Sequence, residues 1–276
     1  MRLYLDYETR SVVDLETRGL DNYARDKSTR VLMCAYAFDS GPVSLWEAHK
    51  GDMPAELRGA LEDPFVVKVA YNARFEKQIS EHCLGVSIPY SEFVDVMIWA
   101  RHLSMALHLA EVCRVLELPP DEAKLDPDKR LVRMFGMPAS PGGEETLFGL
   151  SEPSFRDWQT NPLEWQEFCE YCRRDVVAER AILKRMKRFP LPAQEQRAWV
   201  MDQRINDRGV PISMKLVSGA TAVATTAKSY LRNELKQLTG VENVNSNPQM
   251  LTWLHTQGYS FSSLAKGFVD RALQGE

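Results

Sequence analysis

Asp6 and Glu8 stand two apart in LYLDYE, residues 3–8, a run whose apolar and β-prone composition predicts a strand. Side chains two apart on a strand share a face, so the two carboxylates lie side by side with Tyr7 turned away. At about 4 Å and an effective dielectric of about 20, such a pair repels by on the order of 4 kcal/mol, so a cation sits between them or one holds a proton. Further on, VVKVAY (66–71) ends at Asn72 and ARFE opens a helix, placing Asn72 and Glu76 four apart on one face, where the helix dipole favours an anion. In YCRRD (171–175), Tyr171 and Asp175 are again four apart. Taken singly, these are a strand end, a helix start satisfying its own amides, and an exposed helix face. Together they offer four acids and a phenol for one site, a set suited to metal-assisted phosphodiester hydrolysis. That chemistry uses two magnesium or manganese ions about 3.5–4 Å apart, held by hard oxygen ligands. A phenol with an ordinary pKa near 10 is a poor base at neutral pH, so Tyr171 is expected to orient the attacking water.

Elements that position these residues are legible around them. LYLDYE, VLMCAYAFD (31–39), VSLWEA (43–48) and VVKVAY predict strands, with Gly41-Pro42 turning the second into the third. PAELRGALED (54–63), ARFEKQISEHCL (73–84) and ALHLAEVCRVLEL (106–118) read as helices, and VDVMIWARHLS (94–104) lies between the last two. From about 119 to 153 the chain turns rich in Pro, Gly and charge, a loop-rich excursion with one short helix at KRLVRMFG. A long helix is expected from about Leu163 to Lys187, after the Asn161-Pro162 start signal. FPLPAQEQ (189–196) reads as a boundary, giving a domain at 1–190 and a mostly helical extension at 194–276. The fold class expected is α/β, a mixed sheet flanked by helices.

The chain has 276 residues, 44% of them hydrophobic, enough for a sizeable core. No apolar run approaches the roughly 18 to 20 residues of a membrane span, and the strand at the N-terminus leaves no room for an export signal, so the expected place is the cytoplasm. Five cysteines, an odd number, suit a reducing compartment. Cys169 and Cys172 supply only two of the four ligands zinc needs, and fit better as small apolar side chains of a helix. A net charge of −4 speaks against unspecific coating of nucleic acid, though KRMKR (184–188) is a local basic run. Trp158 and Trp165 read as core, and the five histidines share no ligand spacing.

These segments resemble the three exonuclease motifs of the DEDD superfamily, tyrosine-containing branch (DEDDy, DnaQ-like and ribonuclease H-like). Most of all they resemble the 3′-to-5′ proofreading exonuclease domain of family A DNA polymerases, the bacterial DNA polymerase I type and its phage versions. The likeness covers residues 1 to about 188. It implies a ribonuclease H-like fold and a DNA-binding hydrolase of DNA replication that cuts single-stranded DNA from its 3′ end to nucleoside monophosphates. It also implies two Mg2+ or Mn2+ ions per site. Asp6, Glu8 and Asp175 would hold the first metal and Asp6 would bridge to the second. Glu76 would support that second ion through water, Tyr171 would orient the nucleophile, and Thr9, Asn72 and Phe75 would contact the terminal nucleotide. Asp95 would support the site. The second motif usually ends in aspartate, so Glu76 reaches about 1.5 Å further. The tail, EQRAWVMDQRINDRGVPI and VENVNSNPQMLTWL, resembles the start of a family A polymerase thumb, but no palm or fingers segment follows and no synthesis is expected. A polymerase portion in cis or trans is the implied partner. Two rival expectations are ribonuclease D-like RNA trimming and a non-catalytic module holding DNA ends or a polymerase.

Overall fold

A computed structural model describes residues 1–124, 129–139 and 154–275, with the backbone alone of 145–146 and 149–150. The central strand is β1 (Arg2–Arg10). Its alternation sends Leu3, Leu5 and Tyr7 into one core and Tyr4 into another, with Asp6 and Glu8 in register with Tyr4. Two short helices follow, α1 (Leu15–Arg18) and α2 (Leu20–Arg25), a region whose sequence predicts no element. Asp14 caps the first by accepting from the Thr17 amide at 2.7 Å, and Gly19, at φ +78°, ends it after four residues.

Next come β2 (Arg30–Phe38), β3 (Ser44–Glu47), α3 (Ala55–Glu62), β4 (Val67–Ala70) and α4 (Ala73–Leu84). The stretch VDVMIWARHLS is part of two elements: β5 (Phe93–Asp95) runs straight into α5 (Val96–His102), with Asp95 at the junction. Then follow α6 (Leu109–Val115), α7 (Lys129–Gly136) and a two-stranded antiparallel pair, β6 (Glu145–Thr146) and β7 (Gly149–Leu150). Most of the expected loop-rich excursion after Gly136 lies outside the described residues. The long helix is α8 (Pro162–Met186), twelve of whose residues between Trp165 and Met186 are buried, most of them recurring every three to four residues, so that one stripe presses onto the sheet.

The sheet order is β3-β2-β1-β4-β5. β1 pairs antiparallel with β2 and β2 with β3, whereas β1 with β4 and β4 with β5 are parallel. Residues of α2, α3 and α4 fill one face with Leu3, Leu5 and Tyr7, and residues of α5, α6, α7 and α8 fill the other with Tyr4, Met33 and Ala35. Opposite Glu8 and Thr9 the pairing steps from Met33 to Val31, a bulge that leaves Leu32 over, of the kind found beside active sites.

The boundary expected at 190–194 moves. The next helix, α9 (Ala193–Arg208), belongs to the first of two compact units, Met1–Arg208. Trp199 is buried edge-on against Tyr90 with ring centroids 5.7 Å apart, and Gln196 donates to the Phe93 carbonyl at 2.9 Å. Asp207 accepts from Gln78 at 2.9 Å and from the Tyr90 hydroxyl at 3.1 Å. The prolines at 190 and 192 end α8, but these contacts bring the chain back, and the break falls at Gly209, at φ +65° and shortly before Pro211. The second unit, from Gly209 onward, holds α10 (Met214–Thr239), α11 (Asn247–Thr256) and α12 (Lys266–Leu273), none of which buries a residue fully. No helix among the described residues is long and apolar enough to cross a membrane.

Candidate active site

Asp6 and Glu8 project from β1 toward α8, where Cys172 meets them: a carboxylate oxygen of each acid and the Cys172 sulfur lie within 4.8 Å of one another. The Cys172 thiol donates to the Asp6 carbonyl and to its Oδ2, both at 3.6 Å. Asp175, one turn further along α8, is buried, and its charge pushes on both Asp6 and Glu8. Glu76 is buried from the first turn of α4, and it too feels Asp6 and Glu8. The four acids named from the sequence therefore gather beside the middle and second half of β1.

The junction that carries Glu76 is held by another acid. Asn72 sits in the left-handed region at φ +71° and its side chain makes no capping bond, contrary to the simplest reading of a helix start. Asp95 does that work, accepting from the Asn72 and Ala73 amides at 3.1 and 3.0 Å and from the Met97 amide at 2.9 Å. One buried carboxylate thus ties the start of α4 to the start of α5.

Beside the acids lies a pocket of about 600 Å3, walled in part by Glu8, Thr9, Tyr23, Phe75, Val132 and Tyr171. Phe75 leans on Tyr23 with centroids 6.4 Å apart, and the Thr9 hydroxyl bonds the Tyr23 hydroxyl at 2.7 Å. Four of the expected substrate and catalytic residues, Glu8, Thr9, Phe75 and Tyr171, are on this wall; Asn72 is exposed and not part of it.

Two groups at the site carry no signal that marks them in the expected motifs. Lys124 forms a buried ion pair with Asp175, and its ammonium lies 4.3 Å from the centre of the Tyr171 ring. A lysine in a Pro- and charge-rich stretch looks solvated, and nothing in its neighbours marks it otherwise. Glu179 is 1% exposed on α8, and its Oε1 makes no hydrogen bond. A signal for it exists outside the motifs: it falls four residues after Asp175, on the buried stripe of the helix. Trp165 is buried and Trp158 packs edge-on against it, so both belong to the core as expected, and all five cysteines are free.

Electrostatics show what the cluster lacks. Burial and the Asp175 charge push the Asp6 carboxyl up to about 7. Burial drives Glu8, Glu76 and Glu179 well above the ordinary carboxylate range, with Asp6 adding to each. Asp175 is raised as well, by burial, against the pull of Lys124. Lys124 is the one cation, among the described residues, whose charge reaches Asp6, Glu8 and Asp175. One oxygen each of Glu76, Asp175 and Glu179 is buried without a hydrogen-bond partner. Four buried carboxyls and the half-buried Asp6 around one ammonium form a set of hard oxygen donors short of positive charge, which fits magnesium or manganese. The neighbouring thiol does not change this, because burial first, and then Asp6 and Glu8, keep Cys172 protonated.

A pH dependence follows. Groups whose folded pKa is raised contribute stability that is full below their unfolded values and is lost as pH rises through the folded ones. For Asp6 that interval runs from 3.8 to about 7, and for Asp95, raised by burial, from 3.8 to about 6. In chelator, the urea-unfolding free energy is expected to fall by a few kcal/mol between about pH 5 and pH 8, since each tenfold weakening of a carboxyl's ionisation is worth about 1.4 kcal/mol. Magnesium or manganese is expected to cancel most of that fall. A metal-free protein that grows more stable over the same interval contradicts the assignment.

The strand order, with a parallel β1-β4-β5 half, an antiparallel β1-β2-β3 half and helices on both faces, is that of the ribonuclease H-like class. The relation of this chain to known proteins is closer than that class. It is 35% identical over 276 residues, 99% of its length, to the DNA polymerase of Bacillus phage SP02, and is homologous to that part of it. The chain spans 41% of that polymerase's length. No protein-family model matches. Among solved structures it is similar to Brucella melitensis NrnC, at 16% identity over 71% of this chain and 79% of that one, TM-score 0.42. It is similar to Escherichia coli RNase D, an exoribonuclease involved in structured RNA processing, at 16% identity over 74% and 44% of the two chains, TM-score 0.43. The family B DNA polymerase of Pyrobaculum calidifontis gives 16% identity over 67% and 24%, TM-score 0.43. Likenesses this weak carry nothing about activity.

Proposed function

We propose that this chain is a divalent-metal-dependent 3′-to-5′ exonuclease acting on single-stranded DNA ends, of the proofreading type. The observation that carries the reading is the set of buried Glu8, Glu76 and Asp175 with half-buried Asp6, gathered from three elements beside an open pocket and undersupplied with positive charge. The relation to a phage DNA polymerase favours DNA over RNA. In this reading residues 1–208 carry the exonuclease, and the helices after Gly209 correspond to the start of a polymerase portion.

Asp6, Glu8 and Asp175 would hold a first ion, and Asp6 with Glu76 a second. When bound, magnesium or manganese supplies Lewis-acid stabilisation of charge on the phosphoryl oxygens and lowers the pKa of a bound water. Tyr171 is raised above the ordinary phenol value by burial and by Asp175, so it stays protonated at neutral pH and positions water by its hydroxyl. Phe75, backed by Tyr23, offers an apolar surface for a terminal base, a contact that tolerates any sequence. Thr9, with its hydroxyl on Tyr23, edges the same wall.

The test is digestion of a 5′-labelled single-stranded DNA and its RNA twin with and without magnesium. A divalent-dependent ladder on DNA is expected. Faster shortening of the RNA would replace this reading by RNA trimming, and no ladder on either would leave a binding module. In the same assay Glu76→Ala is expected to lose most activity, about 10- to 100-fold as for a group that orients a metal through its partners, and Glu76→Asp to keep it. Equal rates for Glu76→Ala and wild type would remove Glu76 from the site.

A further inference from the structure

The Cys172 thiol has no task with magnesium or manganese, which take oxygen ligands. It is fully buried on the stripe of α8 that faces the sheet, where the ordinary account of a small side chain is packing. Packing does not account for where the sulfur points. It lies 3.6 Å from Oδ2 of Asp6, and that sulfur and an oxygen each of Asp6 and Glu8 stand within 4.8 Å of one another. Among the described residues no other three His, Cys, Asp or Glu side chains bring ligand atoms so close together. Cys169, one turn earlier, shows the contrast: it stands outside this group, and the acid beside it, Glu47, is already engaged by Lys50 at 2.6 Å and by the Trp165 indole at 2.9 Å.

The distances suit a softer ion. In a tetrahedral zinc site, bonds of about 2.3 Å to sulfur and about 2.0–2.2 Å to a carboxylate oxygen set the sulfur and the oxygen about 3.5–3.7 Å apart. The 3.6 Å between Cys172 and Asp6 falls on that edge. A second observation points the same way. Asp175, three residues on in α8, is 7% exposed, and its Oδ1 is buried without a hydrogen-bond partner, although its charge reaches both Asp6 and Glu8. A cation drawn to this place meets a free carboxylate oxygen beside the three gathered atoms.

We propose that Asp6, Glu8 and Cys172 form a mixed sulfur and oxygen site for a thiophilic divalent cation, zinc or cadmium, which competes with magnesium for the two acids. Softness decides between the ions: a thiolate selects zinc, whereas magnesium is left with the oxygens alone. Binding displaces a proton. The S–H bond breaks, the sulfur electron pair forms the bond to the metal, and the proton passes to water. The hydrogen bond from the thiol to Asp6 is given up for an ion that both groups share. The sulfur site stands on the geometry alone, and that the magnesium it excludes is a catalytic ion rests on the exonuclease reading.

The experiment titrates cadmium into the metal-free full chain and follows the cadmium–thiolate charge-transfer absorption in the ultraviolet, a band that only sulfur coordination gives. Wild type is expected to show the band, to lose it to zinc, and to lose it to magnesium only in large excess. Cys172→Ser is expected to lack the band and to bind zinc about 100-fold more weakly, since even the outer partners of a metal ligand are worth 10- to 100-fold. Cys169→Ser is expected to keep it. Melting temperature in chelator shows that each variant is folded. Asp6→Asn, which keeps the thiol, is expected to weaken cadmium binding about tenfold, so the test does not depend on the cysteine variant alone. The absence of the band in wild type overturns the proposal, as does a band that survives Cys172→Ser, is unchanged in Asp6→Asn, or is indifferent to any excess of magnesium. If the band behaves as expected but magnesium supports no cleavage of labelled DNA, the exonuclease reading falls and the sulfur site stands. If cleavage is present and the band is not, the sulfur site falls alone.

Discussion

Asp6→Asn is expected to stabilise the metal-free protein while abolishing its activity. The first half follows from crowding: at pH 8 the Asp6 carboxyl, pushed up to about 7 by burial and by Asp175, is ionised against neighbouring charge. A neutral amide of the same shape removes that repulsion. A carboxyl whose ionisation is held back about a thousandfold carries about 4 kcal/mol of it, and much of that returns as the amide's own unmet hydrogen bonds, leaving roughly 1–2 kcal/mol. For a unit of this size that raises the melting temperature by about 2–8 °C. The second half follows from the donor count. Asp6 is the acid whose charge reaches Glu8, Glu76 and Glu179 alike, so it is the one at the centre of the cluster. Losing about 4 kcal/mol of transition-state stabilisation slows cleavage about 10^3-fold. The measurement is paired: thermal unfolding in chelator and in magnesium, and the labelled-end digestion. A variant that melts lower than wild type in chelator and keeps the magnesium-induced rise would show that Asp6 is an ordinary structural carboxylate. A gain in stability at the cost of activity is the usual mark of a site built under strain.

How far the sequence could be read depended on periodicity. ARFEKQISEHCL matches α4 from first residue to last, because an apolar repeat and the glycine after it fix both ends. α8 differs from its expected span by one residue at each end. The three strands nearest the N-terminus and the hairpin at Gly41-Pro42 were legible for the same reason. β5 was not, because three residues carry no period, and what defines them is pairing with β4, a contact invisible along the chain. Nor was the place of α9 legible. Prolines announce where a helix stops, but whether the next one returns depends on partners such as Tyr90 and Gln78, more than a hundred residues earlier. At the site, Asp6, Glu8, Glu76, Tyr171 and Asp175 could be named because each sits in a local motif. Lys124 could not, because its meaning comes wholly from Asp175, 51 residues away.

Lys124→Met is expected to weaken the metal-free protein and tighten its hold on divalent cations. In chelator Lys124 is the counter-ion of Asp175, the two side chains being 11% and 9% exposed. Removing one partner of a buried pair costs about 3–5 kcal/mol when the other stays charged. The cost depends on pH in a way that identifies the pair. The Lys124 pKa is raised, as Asp175 and Tyr171 outweigh burial, so the ammonium is present throughout the range from pH 5 to 8. Asp175 also titrates above its ordinary 3.8, so at low pH it takes a proton in the variant and the cost shrinks. The difference in stability between wild type and Lys124→Met is thus expected to be several-fold larger at pH 8 than at pH 5. A cation entering the site competes with the ammonium for Asp175. Without that competitor, half-saturation by magnesium or manganese, followed by melting temperature, is expected at about tenfold lower concentration, a gain of about 1.4 kcal/mol. Equal half-saturation in the two proteins would mean that Lys124 and the ion do not share Asp175. If binding tightens and DNA cleavage nevertheless falls, the ammonium has a second task, with the scissile phosphate as its partner once the ion has displaced it from the carboxylate.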